Sequence, residues 1–205
     1  MISDVTGVLL AGGKSRRMGE DKRFILVGQR TLFERSCAVL CELFEQVCVV
    51  IAQDSPSLQA NVPVIRDIIP DCGSLGGLYT GLQRAQTQHI FLAACDMPFL
   101  NQDVIRYMVR LKDQADMVIS QWASRLQPTH ALYGRDCLPV LEEMMNLHNR
   151  KIQSMIGHPA LRVRVIAEME IRQIDRDGHS MFNINTPADL EHVRSVHDAD
   201  MGLGS

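Results

Sequence analysis

The sequence predicts a single-domain α/β fold: a doubly wound, mostly parallel sheet with helices on both faces. Three observations predict it. Short apolar runs alternate along the chain with stretches of helical periodicity, the order that builds a parallel sheet with helical crossovers. The runs Val47–Ala52 and Ile90–Cys95 are apolar throughout, as strands covered on both faces must be. The 205 residues contain neither an internal repeat nor a low-complexity linker, so one domain accounts for the chain.

The elements follow in order. Val5–Leu10 is apolar, opens on a β-branched residue and stops at Gly12-Gly13, which marks a first strand and its turn. Thr31–Phe44 carries apolar residues at 32, 33, 37, 40, 41 and 44, a helical spacing. Val47–Ala52 is the second strand, and Val62–Ile65, after the turn residue Asn61, is the third. Leu75–Ala85 reads as a helix that contains glycine, and Ile90–Cys95 as a fourth strand ending at Asp96. Pro98 cannot donate to a ladder, and Asn101 can cap a helix over 102–112. Met117–Ser120, His130–Tyr133 and Val163–Ile166 are further strands, while Cys137–Leu147 and Lys151–Ile156 are helical. Thr186 caps a last helix with Pro187 in its first turn. Residues 198–205 are Gly-rich and polar and are expected to form a disordered tail, which leaves 1–197 as the domain.

Composition excludes several function classes. Hydrophobic residues make up 46% and charged residues 22%, an ordinary globular balance. A chain of this size buries about 70% of the surface it would expose unfolded and needs neither disulfide nor metal to fold. The formal charge of −3 provides no global basic field for nucleic acid. The apolar run Val47–Ala52 falls far below the roughly 20 residues that span a bilayer. The first residues lack a basic segment and a long apolar stretch, so no signal peptide is expected. Six cysteines are scattered without a C-x-x-C pair, which fits reduced thiols in a cytoplasm. Cys37 and Cys41 lie four apart on a helix, a spacing that suits either a metal or an apolar face.

In doubly wound sheets ligands bind beyond the carboxyl ends of the strands. The loops after Leu10, Ala52, Ile65 and Cys95 therefore share one rim. The first of these contains Gly-Lys-Ser, yet Val8 stands where a P-loop requires glycine. Gly12 and Gly13 are adjacent, so the dinucleotide fingerprint fails as well. Two glycines still leave backbone N–H groups free for a ligand. Lys14, Arg16, Arg17, Lys22 and Arg23 against Glu20 and Asp21 give segment 14–23 a local charge of +3. Such a loop suits a polyphosphate; taken alone, it also reads as a solvated basic turn.

Leu10, Ala11, Gly12, Gly13, Ser15, Arg17, Met18, Gly19 and Lys22 spell L-A-G-G-x-S-x-R-M-G-x-x-K. This resembles the N-terminal signature of nucleotidyltransferases that act on small molecules with nucleoside triphosphates, in particular the molybdenum cofactor guanylyltransferase family. The resemblance implies a Rossmann-like fold of the nucleotide-diphospho-sugar transferase type. It implies Mg²⁺-dependent transfer of GMP from GTP to the terminal phosphate of molybdopterin or Mo-molybdopterin, with release of pyrophosphate. The turn Leu10, Ala11, Gly12 and Gly13 would contact the nucleotide. Arg17 and Lys22 would neutralise phosphates and the charge developing at the α-phosphorus.

Asp96 ends a buried strand, where a carboxylate can hold Mg²⁺ shared with substrate phosphates or serve as a turn residue before Pro98. The element Cys95-Asp96-Met97-Pro98 is similar to the family's magnesium site. Asp67 followed by Gly73, Ser74, Leu75 and Gly77 resembles the family's G-P-L-A-G-like stretch along the guanine and ribose, with Ser74 in place of proline. Gly76-Gly77 suits tight helix–sheet packing equally well. Asn183-Ile184-Asn185-Thr186-Pro187 resembles the N-[IV]-N-T-P element. Alternation would put Asn183 and Asn185 on one strand face, facing the pterin or a metal-bound water; each amide could equally cap loop backbone. Gln127–Tyr133 and Arg150-Lys151 have weaker counterparts, a strand and a basic patch for the pterin phosphate.

One departure concerns base selectivity. The family commonly carries a polar residue after the second strand, and here Ala52 stands there, with Gln53 and Asp54 as substitutes. The alternatives are cytidylyl transfer to molybdopterin, nucleotidyl transfer to another small phosphorylated acceptor, or a non-catalytic nucleotide-binding module. Proteins that make molybdenum cofactor or accept it are the implied partners. Cys95 should face away from Asp96 along its strand, which argues against a nucleophilic role.

Overall fold

The computed structural model describes residues 1–12 and 21–202. Seven strands form one sheet: β1 (Ile2–Leu10), β4 (Phe44–Ile51), β5 (Val64–Arg66), β6 (His89–Ala94), β7 (Met117–Trp122), β8 (Arg125–Gly134) and β9 (Val163–Ile166), in the order β5-β4-β1-β6-β8-β7-β9. β1 pairs in parallel with β4 and β6, β4 with β5, and β7 with β9. Only β8 runs antiparallel, against β6 and β7. A short antiparallel hairpin, β2 (Leu26–Val27) and β3 (Arg30–Thr31), stands apart.

The sheet is covered on both faces, as expected. Strand residues alternate between two cores. Leu9, Val49, Ile51, Phe91 and Leu132 pack with α1 (Leu32–Leu43) and α3 (Gln102–Arg110). Val8, Val50, Ile90, Leu92 and Tyr133 pack with α2 (Gly73–Arg84) and α4 (Leu138–Asn146). Local signals set the helix starts. Thr31 and Glu34 cap α1 reciprocally, Thr31 Oγ1 accepting from Glu34 N at 3.2 Å and Glu34 Oε2 from Thr31 N at 2.8 Å. Asn101 Oδ1 accepts from Asp103 N at 2.9 Å and Val104 N at 3.2 Å. The glycines of α2 bring the helix onto β1: a Cβ on Gly77 would meet Leu10 Cδ2 at 2.7 Å, and one on Gly81 would meet Val8 Cγ1 at 2.9 Å. Packing therefore explains Gly77.

Several elements lie outside the sequence expectations. The strands at 117 and 130 are one hairpin, turned by Ala123 and Ser124 at φ 46° and 60°. A short helix α5 (Glu168–Arg172) supports that turn, Ala123 N donating to Glu168 Oε2 at 2.9 Å. The last helix, α6 (Pro187–Gly202), continues past the boundary expected at 197. A third small core joins its Leu190 and Val193 to Ile25, Val27, Leu32 and Ile184. That core draws the C-terminal segment across the N-terminal hairpin, beside the carboxyl ends of the central strands. Asn183 and Asn185 lie in an irregular stretch and not on a strand. The chain leaves β1 on one side through β4 and β5, then returns through α2 to β6 on the other side. The crevice at this switch point, above β1, β4 and β6, is where such folds bind ligands.

Candidate active site

Two clefts open at that crevice. The larger, about 750 Å³, lies over β4, β5 and the start of α2, between Gly12, the loop Ala52–Pro56, Asp67 and Gly73. The smaller, about 390 Å³, lies over β6 and β8 and is lined by Lys22, Asp96, Pro128, Thr129, Asn183 and Asn185. Leu10, Gly12, Asp21, Arg23 and Ser74 border both. The two compartments therefore meet at the end of the first strand.

The expected residues fall into two groups. Lys22, Asp96, Asn183 and Asn185 come together around the small cleft. Lys22 Nζ donates to the Ile184 carbonyl at 2.6 Å and to Asn185 Oδ1 at 3.2 Å, and lies 3.4 Å from Asp96 Oδ2. Asn183 Nδ2 donates to Gln127 Oε1 at 3.2 Å. Ile184 N donates to the Asp96 carbonyl at 2.9 Å, so the C-terminal segment is bonded directly to the strand end that bears Asp96. Burial raises the Asp96 carboxyl above the usual carboxylate range, and Lys22 opposes that rise. Asp96 Oδ1 is buried without a hydrogen-bond partner among the described residues, an arrangement that fits a carboxylate ligating a cation. Among the described residues no cluster of three or more His, Cys, Asp or Glu side chains forms a protein cage for a metal. One carboxylate shared with substrate phosphates is the arrangement that suits Mg²⁺.

The second group lines the large cleft. Gly12 approaches the next strand closely, and a Cβ there would lie 2.6 Å from Ala52 N. The Ala11 amide is consumed by the Val50 carbonyl at 2.9 Å, and the Leu10 carbonyl accepts from Cys95 N at 3.0 Å. Leu10 and Ala11 thus shape the crevice, and the Ala11 N–H is already engaged. Gly73 opens α2 at φ 56°. Asp67 is buried: its Oδ1 accepts from Thr80 Oγ1 at 2.7 Å and from Ile69 N at 2.9 Å. Its carboxylate therefore fixes the loop between β5 and α2 and seats against Gly76, whose Cβ would lie 2.6 Å from Asp67 Oδ2. Gly13 and Arg17 lie outside the described residues.

Other contributors had little sequence signal. Arg66 Nη1 donates to the carbonyls of Gln53 at 2.6 Å and Ser55 at 3.0 Å, tying down the loop that carries the Ala52 departure. Gln53 and Asp54 both line the large cleft. Arg23, one charge of the basic loop, is buried between the two clefts, paired with the partly exposed Asp21. Cys95 is buried and its thiol is pushed up to about 12, chiefly by that burial, so it stays protonated and is no nucleophile. Cys37 and Cys41 Sγ atoms lie 4.0 Å apart, and burial pushes the Cys37 thiol up to about 12. Both pack against the first core. Among the described residues no helix is long and apolar enough to cross a membrane.

Known proteins resemble this chain in sequence and in fold. The model of the MobA-like NTP transferase domain matches residues 7–164. A molybdenum cofactor guanylyltransferase of Desulfosudis oleivorans is 35% identical over 94% of this chain and 95% of its own length. Its counterpart from Syntrophotalea carbinolica is 33% identical over 92% of this chain and 90% of its own. The crystal structure of molybdopterin-guanine dinucleotide biosynthesis protein A from Archaeoglobus fulgidus superposes with a TM-score of 0.84 at 24% identity, covering 95% of this chain and all of that one. At that identity the superposition establishes the fold.

Proposed function

Because the chain belongs to the family of MobA-like NTP transferase domains, we propose that it transfers GMP from GTP to the terminal phosphate of molybdopterin and releases pyrophosphate. One observation carries the reading: two clefts share a wall, and Lys22 and Asp96 stand at the edge of the smaller. Such an arrangement suits a two-substrate transfer in which positioning and charge neutralisation dominate.

In this reading the nucleoside occupies the large cleft, against Gly12, Asp67 and Gly73. The acceptor occupies the small one, against Asn183 and Asn185. Lys22, fixed by the Ile184 carbonyl and Asn185, neutralises charge on the α-phosphate. Asp96, through an Oδ1 without a hydrogen-bond partner among the described residues, would hold Mg²⁺, which when bound offsets the charge of the substrate phosphates. Arg17 and the backbone of Gly12 and Gly13 bind the outer phosphates. The six free cysteines fit a reducing, cytoplasmic setting, where proteins that supply or accept the cofactor would be partners.

The test is a thermal shift with GTP, CTP, ATP and UTP, with and without Mg²⁺, followed by pyrophosphate release with molybdopterin. A ligand at 100 times its Kd stabilises the fold by about 2.7 kcal/mol, a clear change in Tm. A shift confined to Mg·GTP and release dependent on the acceptor support the reading. A preference for CTP moves the activity to cytidylyl transfer, with Ala52 as the residue to examine. Nucleotide binding without turnover leaves a non-catalytic module.

A further inference from the structure

The guanidinium of Arg23 is placed as a catalytic group would be. Arg23 follows Lys22 in a 3-10 turn, Lys22–Phe24, and only 4% of its surface is exposed. Asp21 takes one edge of the guanidinium. Nε donates to Asp21 Oδ1 at 2.9 Å and Oδ2 at 3.0 Å, and Nη2 donates to Oδ2 at 2.5 Å. The pairing holds the Asp21 carboxyl below the usual carboxylate range. The other edge is different. Nη1 is buried and has no hydrogen-bond partner among the described residues. Leaving a buried donor unpaired is costly, and more so for a charged group. An arginine retained for packing alone would gain nothing from that cost.

Its position suggests what the donor is for. Of the described residues that border both clefts, Leu10, Gly12, Asp21, Arg23 and Ser74, Arg23 alone is cationic. Lys22 lines the small cleft and is bonded to the acceptor-side segment. An α-phosphorus that stays bonded to the nucleoside in one cleft while it bonds to an acceptor in the other must lie at the common wall. We propose that Arg23 Nη1 donates a charge-assisted hydrogen bond to a non-bridging oxygen of the α-phosphate during transfer, with Asp21 as the positioning residue that holds the fork. In that step an oxygen of the acceptor's terminal phosphate forms a bond to the α-phosphorus. The bond from that phosphorus to the bridging oxygen of the β-phosphate breaks, and pyrophosphate leaves with the electron pair. No proton need be lost from a phosphate already ionised. The assignment rests on the guanylyl-transfer reading and adds to it a second cation, at the wall the two clefts share.

The experiment uses the full chain with GTP and molybdopterin, comparing wild type, Arg23→Gln and Arg23→Lys by pyrophosphate release. It also uses the two diastereomers of GTP that carry sulfur at the α-phosphorus. Arg23→Gln is expected to lower kcat at saturating GTP at least tenfold while KM for GTP moves less than threefold. Wild type should discriminate between the diastereomers, and Arg23→Gln should discriminate at least threefold less. If Arg23→Gln does not fold, Arg23→Lys, which keeps the charge over Asp21 and loses the fork, reports the same two quantities. Unchanged kcat in an otherwise active enzyme overturns the Arg23 assignment alone. A lowered kcat with undiminished diastereomer discrimination makes Arg23 merely structural and overturns it too. A wild type that releases no pyrophosphate from GTP with the acceptor overturns this assignment together with the reading beneath it.

Discussion

Acid should destabilise this protein through one buried imidazole. His130 lies on β8, next to Thr129 of the small cleft, and is fully buried. Its ring meets Phe91 edge-on with centroids 5.2 Å apart, and Nδ1 lies 3.2 Å from Ser120 Oγ. Nε2 has no partner among the described residues. Burial pushes the imidazole down to about 4, against roughly 6.5 in an unfolded chain. The sign follows from linkage. Below pH 6.5 the unfolded chain takes up a proton that the folded chain refuses until about pH 4, so stability falls as pH falls through that window and is flat above it. The whole window is worth about 3 kcal/mol, and the span from pH 7 to 5 about 2 kcal/mol. The assay is urea unfolding at several pH values for wild type and His130→Asn. The variant loses packing by a constant amount, so the pH-dependent part of the difference belongs to His130. Wild type should lose about 2 kcal/mol more than the variant between pH 7 and 5. Parallel curves would show that the imidazole is not held neutral by burial.

Three further outcomes follow from the site. Lys22→Ala removes a cation anchored by the Ile184 carbonyl and Asn185 and should lower turnover by about 10²–10³, by analogy with loss of an oxyanion donor; full pyrophosphate release would remove Lys22 from the chemistry. Thr80→Val strips Asp67 Oδ1 of its 2.7 Å donor and Ile68 N of its 3.0 Å acceptor, at a cost of about 1–3 kcal/mol in urea unfolding. Its KM for GTP should rise if Asp67 orders the nucleoside cleft, and an unaltered KM would make Asp67 purely structural. Gly12→Ala forces a methyl to within 2.6 Å of the Ala52 amide and should cost about 1–3 kcal/mol as overpacking against backbone; an unshifted Tm would contradict that close approach.

What was legible in the sequence follows the range of the forces involved. Continuous apolar runs and caps act over a few residues, and Asn101 and Val163–Ile166 stand where they were expected. The hairpin turn at Ala123-Ser124 was not legible, because neither residue announces positive φ and its support comes from Glu168, far along the chain. The expected strand at Asn183–Asn185 is irregular for a related reason. Ile184 uses its N–H on the Asp96 carbonyl and its carbonyl on Lys22, so tertiary bonds replace a ladder. Resemblance to a family motif brought Lys22 and the two asparagines forward, and Asp96 stood out as a carboxylate at the end of a buried strand. Resemblance could not separate Asp67 as a loop anchor from Asp67 as a nucleoside contact; that distinction lies in Thr80, on the following helix. Arg23 was hidden for the same reason, because only packing shows that it is buried.

The bonds around Ile184 also bear on how the two compartments are coupled. The residue that carries the acceptor segment is bonded through its N–H to the Asp96 carbonyl at 2.9 Å and through its carbonyl to Lys22 Nζ at 2.6 Å. Its side chain is fully buried in the small core shared by α6 and the N-terminal hairpin. Movement of α6 would therefore be transmitted to Lys22 and Asp96 through a residue that solvent does not reach, alongside the exposed link through Asn185. Replacing Ile184 with alanine leaves every backbone bond intact and opens a cavity in that core, with a typical cost of about 2–5 kcal/mol for such a truncation. If packing at Ile184 is what holds Lys22 over the reacting phosphate, Ile184→Ala should lower kcat at temperatures well below its Tm, without touching either substrate. A variant that is less stable yet turns over at the wild-type rate when folded would separate the two, and would leave the position of Lys22 to its own hydrogen bonds.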